Sequence, residues 1–446
     1  MTQGDLRMKR WAILLLSLTT VVTMAACSSG SGGGGTNTSG SSGGTDTASS
    51  GGGSGGEPIE LNVWLFTGTG MEPYMEEYAK AHNIKLNIQQ QEYADHHNGL
   101  VTALAAGSGA PDIALVEIGY IDQFKADESK FHNLADFGAN DIMGDYLEWK
   151  KVQASSQDGS FIYGIPTDVG PMVAMYRTDL FEQAGLPTNR DEVSKLFSTW
   201  EDFVEVGRTI KAKTGKPMVD AANSVFDVVV GQATEHYFDD QGKLIVDSNP
   251  AVKRAYSLAT SLAQEGMTAK IAQWSPEWGA GMNNGDFAVQ MAPAWMMGFM
   301  KSNAPDSAGK WDAAAMPEGS GNWGGSFLTI PKESKHPQEA FDLIKTILSP
   351  EGQLAMFKSN GNFPSTPSIY DDPAILDFTD DFFSGAPVGK IFSDAAKKVT
   401  PVYYGPKYII VDTPLTNAIG EVEKNGTNPD EAWKTAMEQI ERDLRQ

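Results

Sequence analysis

Few residues in this chain are equipped for covalent chemistry. Cys27 is the only cysteine, so no intrachain disulfide can form. The six histidines are scattered except for His96 and His97, which a helix or strand would point apart. No metal site is expected from them, and no cofactor. Two matches to G-x-S-x-G, around Ser42 and Ser54, fall in Gly/Ser tracts that cannot build the strand-to-helix elbow a nucleophile needs. Gly319-x-Gly321-x-x-Gly324 has dinucleotide spacing but precedes a strand instead of opening a helix. What the chain does hold is aromatic surface, with 10 Trp and 13 Tyr. Trp64 and Phe66 close an alternating segment, and Glu117 ends the apolar run Ile113 to Val116, with Tyr120 just beyond. An acid at the end of a buried strand needs hydrogen-bond partners, and ligands of open parallel sheets sit beyond such ends. Plainer readings stand beside these: Trp64 packed in a core, and Glu117 a surface acid in an acidic chain.

Arg7, Lys9 and Arg10 precede the run Trp11 to Val22, whose polar members are Ser17, Thr19 and Thr20. This is the pattern of a secretory signal over residues 1–26, too short to span a bilayer comfortably. Met24, Ala25 and Ala26 before Cys27 resemble a bacterial lipoprotein box, with Met24 where Leu is usual, which implies lipidation of Cys27. Ser28 to Gly56 is Gly, Ser and Thr apart from Asn37, Asp46 and Ala48, a tether unable to bury apolar surface. Residues 27–56 would span ~30 Å end to end. The expected place is the outer face of the cytoplasmic membrane, held by lipid alone. The formal net charge of −23 argues against nucleic acid and anionic lipid, which want basic faces.

The elements that must carry these residues read from periodicity. Ile59, Leu61, Val63 and Leu65 alternate with polar or aromatic neighbours, a strand. Met71, Tyr74, Met75 and Tyr78 fall at helical spacing. Lys85 to Gln91 reads as a strand, a helix stops at Gly107, and Ile113 to Ile118 is a buried strand. Strand and helix in alternation predict a parallel α/β sheet, and Val173 to Tyr176 begins a second such region. Ser198 and Glu201 are placed as a capping box for a helix closed by Gly215. Val225 to Val230 is buried, Ala251 to Ala263 is a helix, and Ala340 to Leu348 is another. Asn428 caps a last helix, with Pro429 in its first turn.

Six segments in order carry a family resemblance. They are Tyr163-Gly-Ile-Pro-Thr-Asp-Val-Gly with Met175 to Pro187, Thr199-Trp-Glu-Asp-Phe, Ala103 to Asp112, Gly285 to Trp295, Trp323 to Pro331, and Ser349-Pro-Glu-Gly-Gln. Together they resemble the extracellular solute-binding proteins of carbohydrate ABC importers, the family of maltose-binding protein, over nearly the whole mature chain.

The resemblance implies an α/β, two-lobe periplasmic-binding-protein-like fold, with three interlobe crossings and a ligand cleft between the lobes. It places the crossings near Pro166 to Gly170, Met291 to Trp295, and Gly324 to Ile330. Lobe 1 is then 57–166 with 295–325, and lobe 2 is 167–294 with 326–446. By the same implication Asp168, Trp295, Trp323 and Gly325 lie in crossings and face a sugar, Trp64 turns to the cleft, and Phe66, Glu117 and Tyr120 join it. Trp278, or its neighbour Trp274, and Tyr404 among Tyr403, Tyr404 and Tyr408 are nominated on the second side, with Phe226 behind them. Aromatic faces would cover the C–H face of a sugar ring at ~0.5–1.5 kcal/mol each, and carboxylates would accept from its hydroxyls. Asp168 has the alternative of bonding within the hinge. The implied function is a monomeric, non-enzymatic receptor that closes on an oligosaccharide and passes it to ABC permease subunits. Two other functions remain open here: an anchored glycoside hydrolase, which needs a tuned carboxylate pair such as Glu117 and Asp168, and the same fold with a non-sugar cargo, which needs a cationic clamp or metal ligands. Arg177 is the single cation next to the nominated crossing residues, and strand phase turns it away from Asp168 only where no bulge intervenes.

Overall fold

The computed structural model describes residues 57–239, 241–400 and 402–445. The signal, Cys27 and the tether lie outside them. Among the described residues, eight strands form two separate sheets: β1 (Ile59–Phe66), β2 (Ile84–Gln91), β3 (Ile113–Glu117), β4 (Gly164–Pro166), β5 (Met172–Arg177), β6 (Val289–Pro293), β7 (Trp311–Ala314) and β8 (Ser326–Thr329). The first sheet runs β2-β1-β3-β8-β4 and the second β6-β5-β7.

In the first sheet β1 pairs in parallel with β2 and β3, as the strand–helix alternation requires. β8 then enters antiparallel to β3 and β4. Leu61, Val63 and Leu65 are fully buried, while Trp64 and Phe66 on the other face of β1 are half-buried. Helix Tyr93–Ala106 ends on Gly107 at φ 65°, the left-handed cap its sequence calls for.

The second sheet is wholly antiparallel, which corrects the expectation of a repeated parallel α/β pattern. Its long loops return each strand beside β5 in the opposite sense. Met172, Ala174 and Tyr176 of β5 face one core and Val173 and Met175 another, so every residue of the strand is buried. That two-sided burial is why no period-2 signal marks it. Val225 to Val230 belongs to a helix, Ala222–Gly231. The capping box sits one residue later than read, on Thr199 and Asp202. Asn428 caps Pro429–Asp443 through its side-chain oxygen, which accepts from Asp430 and Glu431 amides.

The lobe boundaries are corrected as well. Trp311–Ala314 lies in the second sheet, and Ser326–Thr329 in the first, the reverse of the assignment by resemblance. The first core holds residues 61–165 and 327–356; the others hold 169–316 and 357–440. The chain therefore passes between sheets over 167–171 and 315–325, and from one core to another near 357–363. Met291 to Trp295 is not a crossing, because β6 is followed by β7 of the same sheet. Trp311–Ala314 explains the miss: it is placed by antiparallel pairing with Ala174 to Arg177 of β5, a long-range contact that four residues of mixed polarity do not announce.

Candidate functional site

A cavity of ≈ 220 Å³ opens where the two halves meet, walled by both and by the second crossing. From the first half come Tyr93, Glu117 and Gly119, and from the crossing Asn322, Trp323 and Gly324. The second half supplies Asp227, His236 and Tyr237 from one region, and Tyr404, Tyr408 and Asp412 from near the C-terminal helices.

Glu117 is set by local chain geometry. It ends β3 and caps the helix Ile118–Phe124, its Oε2 accepting from Gly119 N–H at 2.7 Å and from Tyr93 O–H at 2.8 Å. Burial pushes its carboxyl up to about 7, against the opposing pull of the Gly119 amide, the Tyr93 hydroxyl and Lys150. Its other oxygen faces the crossing: a Cβ on Gly324 would lie 3.8 Å from Oε1. His97 fixes the strand tip from behind. Its Nε2 accepts from the Glu117 N–H at 3.1 Å, and Nδ1 lies 2.8 Å from the Tyr93 carbonyl, so it carries one proton and no charge. Burial lowers it to about 3. His96 and His97 are not held apart: their ring centroids lie 4.8 Å from each other, and both are buried and bonded to backbone carbonyls.

Opposite Glu117 stand two more carboxylates. Tyr237 O–H donates to Asp412 Oδ1 at 2.7 Å. The Asp227 carboxyl makes no hydrogen bond to any described residue, and burial together with the nearby Asp412 and Asp220 charges pushes it well up. Asp412 is raised too, by burial. Tyr404 lies between the two acidic walls: burial, Glu117 and Asp412 all push its hydroxyl's ionisation upward. No Lys or Arg lines the cavity.

The aromatic wall continues outward from Trp323. Trp295 meets it edge-on at 5.3 Å between centroids and donates Nε1 to its carbonyl at 3.2 Å. Trp274 stacks over Trp295 at 5.9 Å and 17° and is 56% exposed. It adopts φ +66°, a strained conformation for a bulky residue that tends to mark functional positions.

Of the nominated residues, Glu117, Trp323 and Tyr404 line the cavity, and Trp295 adjoins it. Others stand behind. Phe66 packs edge-on against Tyr93 at 5.5 Å, and buried Tyr120 stacks on His97 at 4.0 Å; both support the Tyr93–Glu117 wall. Trp64 packs on the first core and is not among the residues lining the cavity. Trp278 is corrected: it is fully buried, its Nε1 donating to Asp220 at 2.9 Å, and Trp274 is the exposed partner. Phe226 is core. Asp168 takes the hinge alternative, its Oδ1 accepting from Thr167 O–H at 2.6 Å and from Ser326 N–H at 3.1 Å, so it ties the first crossing to the start of β8. Gly325 is demanded by backbone, at φ +97° with a Cβ only 2.7 Å from the Asp168 carbonyl. Arg177 is tied to Asp179 and the Met282 carbonyl.

Tyr93, Asp227, His236, Tyr237, Asn322 and Asp412 escaped the sequence. For two of them a signal existed. Asp227 interrupts Val225 to Val230 and Asp412 follows Tyr408 to Val411, each a lone carboxylate in an apolar stretch, the same feature that singled out Glu117.

Residues 73–381 match the model of the bacterial extracellular solute-binding proteins. An arabinooligosaccharide-binding protein of Bacillus subtilis (strain 168) is 29% identical over 77% of this chain and 82% of its own. A lactose-binding protein of Rhizobium radiobacter is 29% identical over 85% and 92%. The crystal structure of an extracellular solute-binding protein of family 1 superposes with a TM-score of 0.78 at 34% identity, covering 86% of this chain and all of that one. An ABC transporter associated binding protein from B. animalis subsp. lactis Bl-04, in complex with beta-1,6-galactobiose, shares the fold at 0.73 and 23% identity. A cavity between two lobes, acids facing acids across it and a family match through both halves converge on one assignment: the chain belongs to the bacterial extracellular solute-binding proteins.

Proposed function

We propose that this protein is a lipid-anchored receptor, tethered through Cys27, that captures an oligosaccharide between its lobes and presents it to the permease subunits of an ABC importer. The observation that carries the reading is the wall composition: Glu117 on one lobe and Asp227 with Asp412 on the other, with Trp323 and Tyr404 between. Carboxylates facing one another across a gap accept hydroxyl protons from both sides of a sugar, while rings cover its apolar face. The relatives whose names specify arabinooligosaccharide and lactose support an uncharged saccharide.

The exposed Trp274 over Trp295 extends the aromatic surface beyond the cavity, which favours a chain of several units over a monosaccharide. Closure follows from geometry: only when both lobes touch one solute is the full contact energy gained. A micromolar affinity, ~8 kcal/mol, is within reach of three or four stacked rings with hydroxyl bonds. A non-sugar anion is disfavoured by the three acids and the absence of a lining cation, and hydrolysis by membership in a family of binding proteins.

Tryptophan fluorescence titration with arabinotriose, lactose and maltotriose tests the reading. Saturable binding of at least one at micromolar concentration, abolished in Trp295→Ala with circular dichroism unchanged, is expected. No response to any saccharide, or release of shorter products, would sink it.

A further inference from the structure

Two costs meet at Trp274: its indole is exposed and its backbone sits at φ +66°. Apolar surface in water and a bulky residue in the left-handed region are each unfavourable, so the surroundings must fix this residue. The segment that carries it is laid along the second half by backbone bonds. Ala269 N–H donates to the Val219 carbonyl at 2.9 Å, and Ile271 N–H to the Asp220 carbonyl at 3.2 Å. One residue before the indole, Gln273 completes the hold with its side chain. Its Nε2 donates to Ser224 Oγ at 2.8 Å and to Asp220 Oδ2 at 3.1 Å.

Asp220 is fully buried and accepts from four donors. Oδ1 takes Ala221 N–H at 2.8 Å and Ser224 O–H at 2.6 Å, while Oδ2 takes Gln273 and, at 2.9 Å, Trp278 Nε1. Trp278 in turn meets the Trp274 ring edge-on at 5.1 Å. One carboxylate therefore anchors both the residue before Trp274 and a ring packed against it. The anchor adjoins the cavity wall: Ser224 and Asp227 lie three residues apart on the helix Ala222–Gly231, and Asp227 lines the cavity. On its other sides Trp274 meets Trp295 and, at 6.3 Å between centroids, Trp323. The indole thus stands next to a ring of the cavity wall without lining the cavity itself.

We propose that Gln273 is a positioning residue for solute length: pinned to Asp220 and Ser224, it fixes the Trp274 indole beside Trp323 as a platform for a saccharide unit that extends out of the cavity. Gln273 touches no solute itself; its carboxamide nitrogen is spent on the buried pair. The inference rests on the saccharide reading above, and its first test needs no solute.

In full-length protein labelled with 5-fluorotryptophan, the fluorine resonance lost in Trp274→Phe belongs to Trp274. Packing against Trp278, Trp295 and Phe299 should hold it away from the position of the free amino acid, and Gln273→Leu should move it toward that position. Calorimetric titration with arabino- and malto-oligosaccharides of two and four units then reads the solute side. In the series that binds, wild type should hold the four-unit chain about three- to tenfold more tightly than the two-unit chain. That advantage should fall below about twofold in Gln273→Leu and in Trp274→Ala, and Gln273→Leu should add no further loss in a Trp274→Ala background. A Trp274 resonance unmoved in Gln273→Leu, no wild-type preference for the longer chain, equal weakening of both lengths, or an additive loss in the double variant would overturn the proposal. If wild type binds no saccharide, the cargo reading falls, and the fluorine shift by itself still upholds or overturns the hold of Gln273 on Trp274. Should Gln273→Leu not fold, Gln273→Ala takes its place.

Discussion

Replacing Gly170 by alanine would test how the lobes are joined. A methyl there would lie 1.8 Å from the Trp323 carbonyl oxygen and 2.6 Å from its carbon, roughly 1.5 Å short of ordinary contact. Both neighbours are backbone, so no side chain can swing aside, and the crossing 315–325 must move away from 167–171. Overpacking of this kind costs about 1–3 kcal/mol. The same movement strains two hydrogen bonds, from Trp323 N–H to the Gly170 carbonyl at 2.8 Å and from Trp295 Nε1 to the Trp323 carbonyl at 3.2 Å, each worth about 0.5–1.5 kcal/mol. The expected loss is about 2–6 kcal/mol. Because Trp323 lines the cavity, saccharide affinity should fall roughly tenfold or more as its ring is displaced. Thermal unfolding followed by circular dichroism, paired with fluorescence titration, reads both effects. Gly420→Ala is the control: in the helix Tyr408–Asn425 its Cβ would meet nothing within 4 Å, and it should stabilise by about 0.5–1 kcal/mol. A Gly170→Ala protein that melts with wild type and binds as tightly would refute the claim that these crossings are in backbone contact.

Two further outcomes separate core from cleft and acid from acid. Trp278→Ala should cost about 3–5 kcal/mol, since it empties a fully buried site and removes a donor from Asp220; Trp274→Ala should change stability by under about 0.5 kcal/mol while weakening saccharide binding roughly two- to tenfold. Equal melting temperatures for the two variants would contradict their placement. Asp227, with its folded carboxyl raised by burial and the Asp412 charge, contributes stability that is present at low pH and lost as pH rises through its folded value. Asp227→Asn should therefore melt higher than wild type at pH 8 without solute, match it near pH 4, and bind saccharide less tightly; no gain at pH 8 would show that the charge is compensated.

Local physics made much of this molecule legible. The alternation at Ile59 to Phe66, the left-handed stop at Gly107 and the cap at Asn428 each depend on residues within one turn or one strand, and each element stands where its sequence placed it. Glu117 was legible for a related reason, since a carboxylate closing an apolar strand is costly unless its end is a site. Asp227 and Asp412 carried the same signal on helices, where one polar residue in an apolar stretch is commonplace, and it went unread.

The sequence by itself determined the exported, acidic, aromatic-rich character of the chain, most of its elements and, through motif order, its family. Tertiary structure alone decided that Trp311–Ala314 joins β5 while Ser326–Thr329 joins β3, and that Trp274 and not Trp278 meets solvent. Those facts depend on pairings between residues far apart in the chain, whose energies come from burial and backbone pairing, and no local pattern encodes which distant partner a strand or an indole will meet.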